Sequence, residues 1–269
     1  MRRWSFIAGA VLVLLGVLAI LNAVIGVTLH LFWPIVLIAL GAWIIFGMSR
    51  GRSNGGHREQ ASVPLDGARD AAVTIHHGAG RLSVGSGAGG DQLLAGSFGG
   101  GLDAARHLDG SRLVVDMKIR ERDVGRWFFG PRGHHGGLWG MLDWEFGMNP
   151  GIPLSLRVES GASETRLALQ DLQVRELLLK TGASSTTVDL PSKAGHTMVT
   201  VESGAAAVKL RVPQGVAASI NVRSTLAGVH VDAARFRPYA GGYRSADFDS
   251  AANKVEIFVE TAVGSLEIT

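Results

Sequence analysis

The second half of the chain returns again and again to one short phrase. Ser160-Gly161-Ala162-Ser163 leads into ETRLALQ, Thr181-Gly182-Ala183-Ser184 into STTVDLP, and Ser203-Gly204-Ala205-Ala206 into AVKLRVP. Thr225-Leu226-Ala227-Gly228 leads into VHVDA as a weaker copy, His77-Gly78-Ala79-Gly80 into RLSV, and Val263-Gly264-Ser265 into LEIT. The central copies recur about every 21 residues. A fixed period of that size is the mark of stacked units, none of which can bury its apolar face alone.

The runs between the corners alternate apolar and polar residues. RLVVDMKIR, PLSLRVES, TMVTVES, ASINVRS and KVEIFVET all do so, and no segment holds an apolar stripe at helical spacing over three turns. Alternation of this kind, bounded by Gly, Pro, Ser and Asp, predicts short strands. The 37 glycines lie between such runs and read as turns rather than disorder. Gly80, Gly161, Gly182, Gly204 and Gly264 are the corner glycines, where a positive φ would turn the chain. The expectation for residues 69–269 is an all-β domain built as a stacked β-repeat, a β-solenoid. A β-sandwich with chance hairpin spacing is the alternative.

The N-terminus obeys a different rule. Phe6–Leu21 (FIAGAVLVLLGVLAIL) and Leu29–Met48 (LHLFWPIVLIALGAWIIFGM) are uncharged, and each approaches the roughly 20 apolar residues that cross a bilayer. Residues 1–48 are therefore predicted to be an α-helical transmembrane hairpin, with Asn22, Gly26 and Thr28 at its turn. A cleaved signal peptide and a re-entrant hairpin are the competing readings. Trp4 and Trp33 sit near span ends, as interfacial aromatics do. Arg2 and Arg3 precede the first span, Arg50 and Arg52 follow the second, and the connecting loop has no Lys or Arg. The positive-inside rule then places both termini in the cytoplasm of a two-span, multi-pass cell-membrane protein. If one stretch alone spans, the β-domain lies outside. Residues 49–68 read as a polar linker.

Two further segments invite functional readings. Residues 121–151 form an aromatic, Gly-rich insertion with Trp127, Phe128, Phe129, Trp139, Trp144 and Phe146. Edged by arginines, these residues suit a partner or the membrane interface; covering an open end of the stack is the plainer role. His76-His77 and His134-His135 are adjacent pairs, whose side chains diverge on a strand and so chelate poorly. Asp143 and Glu145 are a spaced carboxylate pair of the kind glycosidases use. No P-loop, dinucleotide-binding glycine motif or nucleophile elbow is present, and no cofactor is expected. With no cysteine, thiolate chemistry and Cys-ligated metals are excluded. A formal net charge of +3 without a basic run argues against nucleic acid.

LFWPIVLIALGAWIIF resembles the membrane segments of bacterial LiaF-type envelope-stress proteins. RVESGASETRLALQDLQVRELLLKTGASSTTVDLP resembles the toast-rack, adhesin-like β-repeat modules that follow such segments. The resemblance implies a non-enzymatic accessory or regulatory protein of cell-envelope stress signalling. Its implied partners are the lipid bilayer and a membrane sensor kinase or other membrane protein; a homo-oligomer is compatible with an open-ended stack. An outward-facing adhesin-like binder is the alternative function, and a glycan-active β-helix enzyme the third.

Overall fold

The computed structural model describes residues 58–120 and 142–269. The predicted membrane hairpin, the first part of the linker and residues 121–141 lie outside these. Among the described residues no helix is long and apolar enough to cross a membrane. The described residues form fourteen strands: β1 (Arg58–Pro64), β2 (Asp70–Ser86), β3 (Gln92–Gly99), β4 (Leu102–Asp109), β5 (Arg112–Ile119), β6 (Trp144–Met148), β7 (Pro153–Ala168), β8 (Gln173–Thr181), β9 (Ser185–Asp189), β10 (His196–Arg211), β11 (Ala217–Val231), β12 (Arg237–Tyr239), β13 (Gly242–Arg244) and β14 (Lys254–Ile268).

The repeated units are rungs of a parallel stack. Each rung has a first half-strand, a corner and a second half-strand. In β2, β7, β10, β11 and β14 both halves belong to one strand, whereas β8 and β9 are the two halves of a rung interrupted at its corner. The stack order is β2, β7, β8 with β9, β10, β14, β11. Every neighbouring pair in it is parallel. Thus β14, the last strand in sequence, slots between β10 and β11.

The Gly-Ala pair makes the corner by breaking the alternation. In β7 the buried residues are Leu154, Leu156, Val158 and Ser160, then Ser163, Thr165 and Leu167. Two consecutive exposed residues, Gly161 and Ala162, shift the inward positions from even to odd. Both halves can then face one core. Val158, Leu179, Val201 and Val259 stand in register across four rungs and are all buried. Each such side chain stabilises the fold by about 1.5–3 kcal/mol.

The corner glycines serve two different ends. At Gly264 φ is 127°, a conformation that L side chains avoid; Gly80 shares it with φ 104°. Gly161, Gly182 and Gly204 do not have positive φ, so the turn-conformation expectation is corrected for them. At Gly161 the need is close approach, because a Cβ there would land on the Gly78 carbonyl oxygen. The crowding eases from Gly161 to Gly204 and returns at Gly264, where a Cβ would land on the Ala206 carbonyl oxygen. A Cβ at Gly182 would stand 3.0 Å from the Gly161 oxygen, and one at Gly204 would stand 3.5 Å from the Gly182 oxygen.

Antiparallel strands finish the β2 end of the stack. There β6 pairs in parallel with the second half of β2, β3 pairs with β6, and β1 with β3. On the first half, β5 pairs with β2 and β4 with β5. This revises two sequence boundaries. Arg58–Pro64 is a sheet strand, not linker, and 142–151 belongs to the core fold rather than to an insertion.

Candidate interaction face

The residue just before each corner points outward, and in rung after rung it is charged. In register these residues are His76, Glu159, Lys180, Glu202, Glu260 and Arg223. Neighbouring strands lie roughly 4.8 Å apart, so the side chains form a continuous row along the stack. His76 Nδ1 lies 3.0 Å from Glu159 and its Nε2 lies 3.4 Å from Asp116. Lys180 Nζ lies 2.6 Å from Glu202. Arg157 donates to Glu159 at 2.7 Å. That hydrogen bond, with the nearby His76, holds the Glu159 carboxyl below the usual range. Glu260, between Glu202 and Arg223 in the row, forms no ion pair among the described residues.

A trough of about 1240 Å³ runs beside the corners. The charged row and Arg157 line it, together with the side-chain-free Gly161, Gly182 and Gly204. A smaller hollow adjoins it at Thr200, Asn221 and Phe258. Two apolar side chains on the same outer face are exposed: Met198 and Phe258. The arrangement offers fixed charges, exposed apolar groups and a concave backbone floor. Those are means of holding a chain or a surface by complementarity.

On the inner side of the same corners lies a column of polar groups. His77, Ser160, Thr181, Ser203 and Thr261 are buried and share one register position. The hydroxyls of Ser160, Thr181 and Ser203 have no hydrogen-bond partner among the described residues. His77 Nε2 donates to the Leu142 carbonyl at 2.9 Å, while its Nδ1 is unpartnered. Burial pushes the His77 imidazole below its ordinary pKa, an effect partly offset by the Leu142 hydrogen bond and the Asp143 carboxylate. Adjacent His76 and His77 thus face opposite sides of β2, one in an outer ion pair, the other in the core.

Of the two roles read for Trp144 and Phe146, contact with a partner or the membrane and cover for an open end of the stack, the structure fits cover. Both are buried. Trp144 Nε1 donates to the Gly99 carbonyl at 3.0 Å, and Phe98 packs edge-on against Trp144 and stacks on Phe146. Trp144, Phe146 and Met148 are the inward positions of β6. Asp143 accepts from the Arg81 backbone N–H at 2.9 Å and lies 3.6 Å from Arg58; Glu145 follows it, exposed on β6. Trp127, Phe128, Phe129, Trp139 and the His134-His135 pair lie outside the described residues, as do Arg2, Arg3, Trp4, Trp33, Arg50 and Arg52. The charged row escaped sequence reading although its signal is plain: His76, Glu159, Lys180 and Glu202 each stand one residue ahead of a corner phrase.

Comparison with known proteins agrees with this architecture. The family model described as the N-terminal domain of toast_rack, DUF2154, matches residues 52–211, which ends on the last residue of β10. A crystal structure from Clostridium sporogenes, of a protein described as a candidate cell adhesion protein, superposes with a TM-score of 0.68 at 16% identity. The match covers 79% of this chain and 98% of that one. At that identity the likeness is one of fold. No curated protein matches the sequence.

Proposed function

Because the chain belongs to the toast-rack family, we propose that it is a membrane-anchored, non-enzymatic accessory or regulatory protein. Its β-repeat domain is a protein-interaction scaffold in bacterial cell-envelope stress signalling. The observation that carries this is the trough with its charged row, in which Glu260 forms no ion pair among the described residues. A fixed array of charges on rigid strands selects a partner by electrostatic match and suppresses mismatched ones. The partner that fits the membrane hairpin is another membrane protein, such as a sensor kinase. The test is crosslinking of the full chain in native membranes, with and without Glu260→Lys and Lys180→Glu. The expected result is capture of a membrane protein by the unaltered chain and at least tenfold less by the double variant. Equal capture by both, at equal membrane levels, overturns the reading.

An adhesive role is the second reading, favoured by the description of the Clostridium sporogenes protein with the same fold. It requires the β-domain outside the cell. A protease that cleaves the domain in intact cells supports adhesion; protection until the membrane is opened supports the signalling scaffold.

A further inference from the structure

Among the described residues the sheet has four free edges: β1, β4, β12 and the outer side of β11. Three carry the devices that keep edges from pairing, namely short length, charges and proline. β1 holds Arg58, Glu59 and Pro64; β4 holds Asp103, Arg106, His107 and Asp109; and β12 is the three residues Arg237, Pro238 and Tyr239. β11 is different. It runs 15 residues without Lys, Asp, Glu or Pro. β13 covers it at Ser219 and Ile220 alone. From Asn221 to His230 the outward backbone groups have no strand beside them among the described residues. Leu226 is 76% exposed and Val229 38% exposed, although Val229 aligns with Leu266 and Val208 on the core side of the stack.

We propose that the free edge of β11, Asn221 to His230, pairs antiparallel with the same edge of a second copy, closing a tail-to-tail dimer about a two-fold axis through the corner. The face pattern fixes the register. In the first half of the rung Val222 and Ser224 face inward; after the corner Ala227 and Val229 do. One antiparallel register matches inward to inward across a two-fold axis. It sets Val222 against the partner's Val229, Ser224 against the partner's Ala227, Arg223 against the partner's Gly228, and Asn221 against the partner's His230. Both cations of the edge, Arg223 and His230 when protonated, then meet uncharged residues. The next residues outward, Ile220 and Val231, are where the edge stops being free: β13 covers the former and the latter is buried. The uncovered span is thus symmetric about the corner, as self-pairing requires. The two cores become continuous through the valines.

A second copy is the occupant because this chain's other edges are blocked by charge and proline, so β11 has no complementary edge within its own kind except β11. Such an isologous contact stops at two subunits, whereas pairing β11 with a different edge would grow a filament. The inference does not depend on the signalling reading.

The chain has no cysteine, so introduced thiols are unambiguous. Arg223→Cys and Gly228→Cys chains, differently tagged and full length, are co-expressed and oxidised in native membranes. Directly opposed residues of an antiparallel pair have Cα atoms about 4.5–5.5 Å apart, within disulfide reach. The expected product is a disulfide-linked dimer carrying both tags, with at least tenfold less dimer from either variant alone. Val222→Cys with Val229→Cys repeats the test on the inward face, and Ser224→Lys, which drives a charge into the joint, reduces the product at least tenfold. No mixed dimer from either pair, while each thiol still reacts with a small maleimide, overturns the proposal. So does equal dimer from one variant alone, or disulfide capture of a different protein.

Discussion

The two ends of the stack are finished in opposite ways. At the β2 end the chain returns with antiparallel strands and seals them with a cluster of buried aromatics, Phe98, Trp144 and Phe146. At the β11 end β12 and β13 cover a small part of the first half-strand, and the second half is bare. Elsewhere at that end aromatic rings meet cations, Arg244 over Tyr239 and Phe248 and Arg235 over Phe236. A parallel stack has no intrinsic stopping point, since each rung leaves an edge like the one it covered. The contrast teaches that one end is closed by the chain itself, whereas the other leaves a strand edge bare among the described residues.

The sharpest way to break the contrast is to strip the sealed end. Trp144→Ala removes a fully buried ring and its hydrogen bond to Gly99, and should cost about 3–5 kcal/mol. Leu226→Ser at the bare end should stay within about 0.5 kcal/mol, as exposed substitutions do. Urea unfolding of the two variants checks both; equal losses would mean that the ends are not energetically distinct. Next come the corners. Gly161→Ala should cost about 1–3 kcal/mol, because the Gly78 carbonyl must move. Gly204→Ala, whose Cβ meets ordinary contacts, should cost under about 1 kcal/mol. Thermal melts of this pair test whether crowding falls from the β7 rung to the β10 rung.

Acid should weaken the sealed end in particular. The unfolded chain protonates His77 near pH 6.5, whereas in the folded chain burial resists it. The contribution is complete above that pH and is lost as the pH falls through it toward the lower folded value. Stability between pH 7 and pH 5 should therefore drop less in His77→Gln than in the parent, measured by urea titration at each pH. The smallest effect is expected at Ser203→Ala. Its hydroxyl has no partner to lose, so stability should be unchanged or raised by up to about 1 kcal/mol; a fall of 2 kcal/mol would show that the polar column is structural.

Much of this was legible in the sequence, for a physical reason. Inward and outward positions alternate along a strand, so Leu154, Leu156 and Val158 could be read as core and the Gly-Ala pair as the break. Three things were hidden. β6 repeats Trp144, Phe146 and Met148 at period two, but glycines and exposed-looking aromatics around it disguise a buried strand. Arg58–Pro64 earns its place by pairing with β3, a partner far along the chain that local pattern does not announce. The trough arises from register: Glu159, Lys180, Glu202 and Arg223 are visible as charges, yet their alignment with His76 and Glu260 depends on which rungs are neighbours.

That neighbour order has a consequence for how the molecule is made. During synthesis β11 leaves the ribosome before β14, so for a time two finished edges, those of β10 and β11, await a single strand. The vacancy between them accepts any parallel strand of matching pattern, including β14 of a neighbouring chain. A population of nascent chains is thus open to strand exchange until each fills its own gap, and the β12–β13 excursion is what leads the chain back to Lys254.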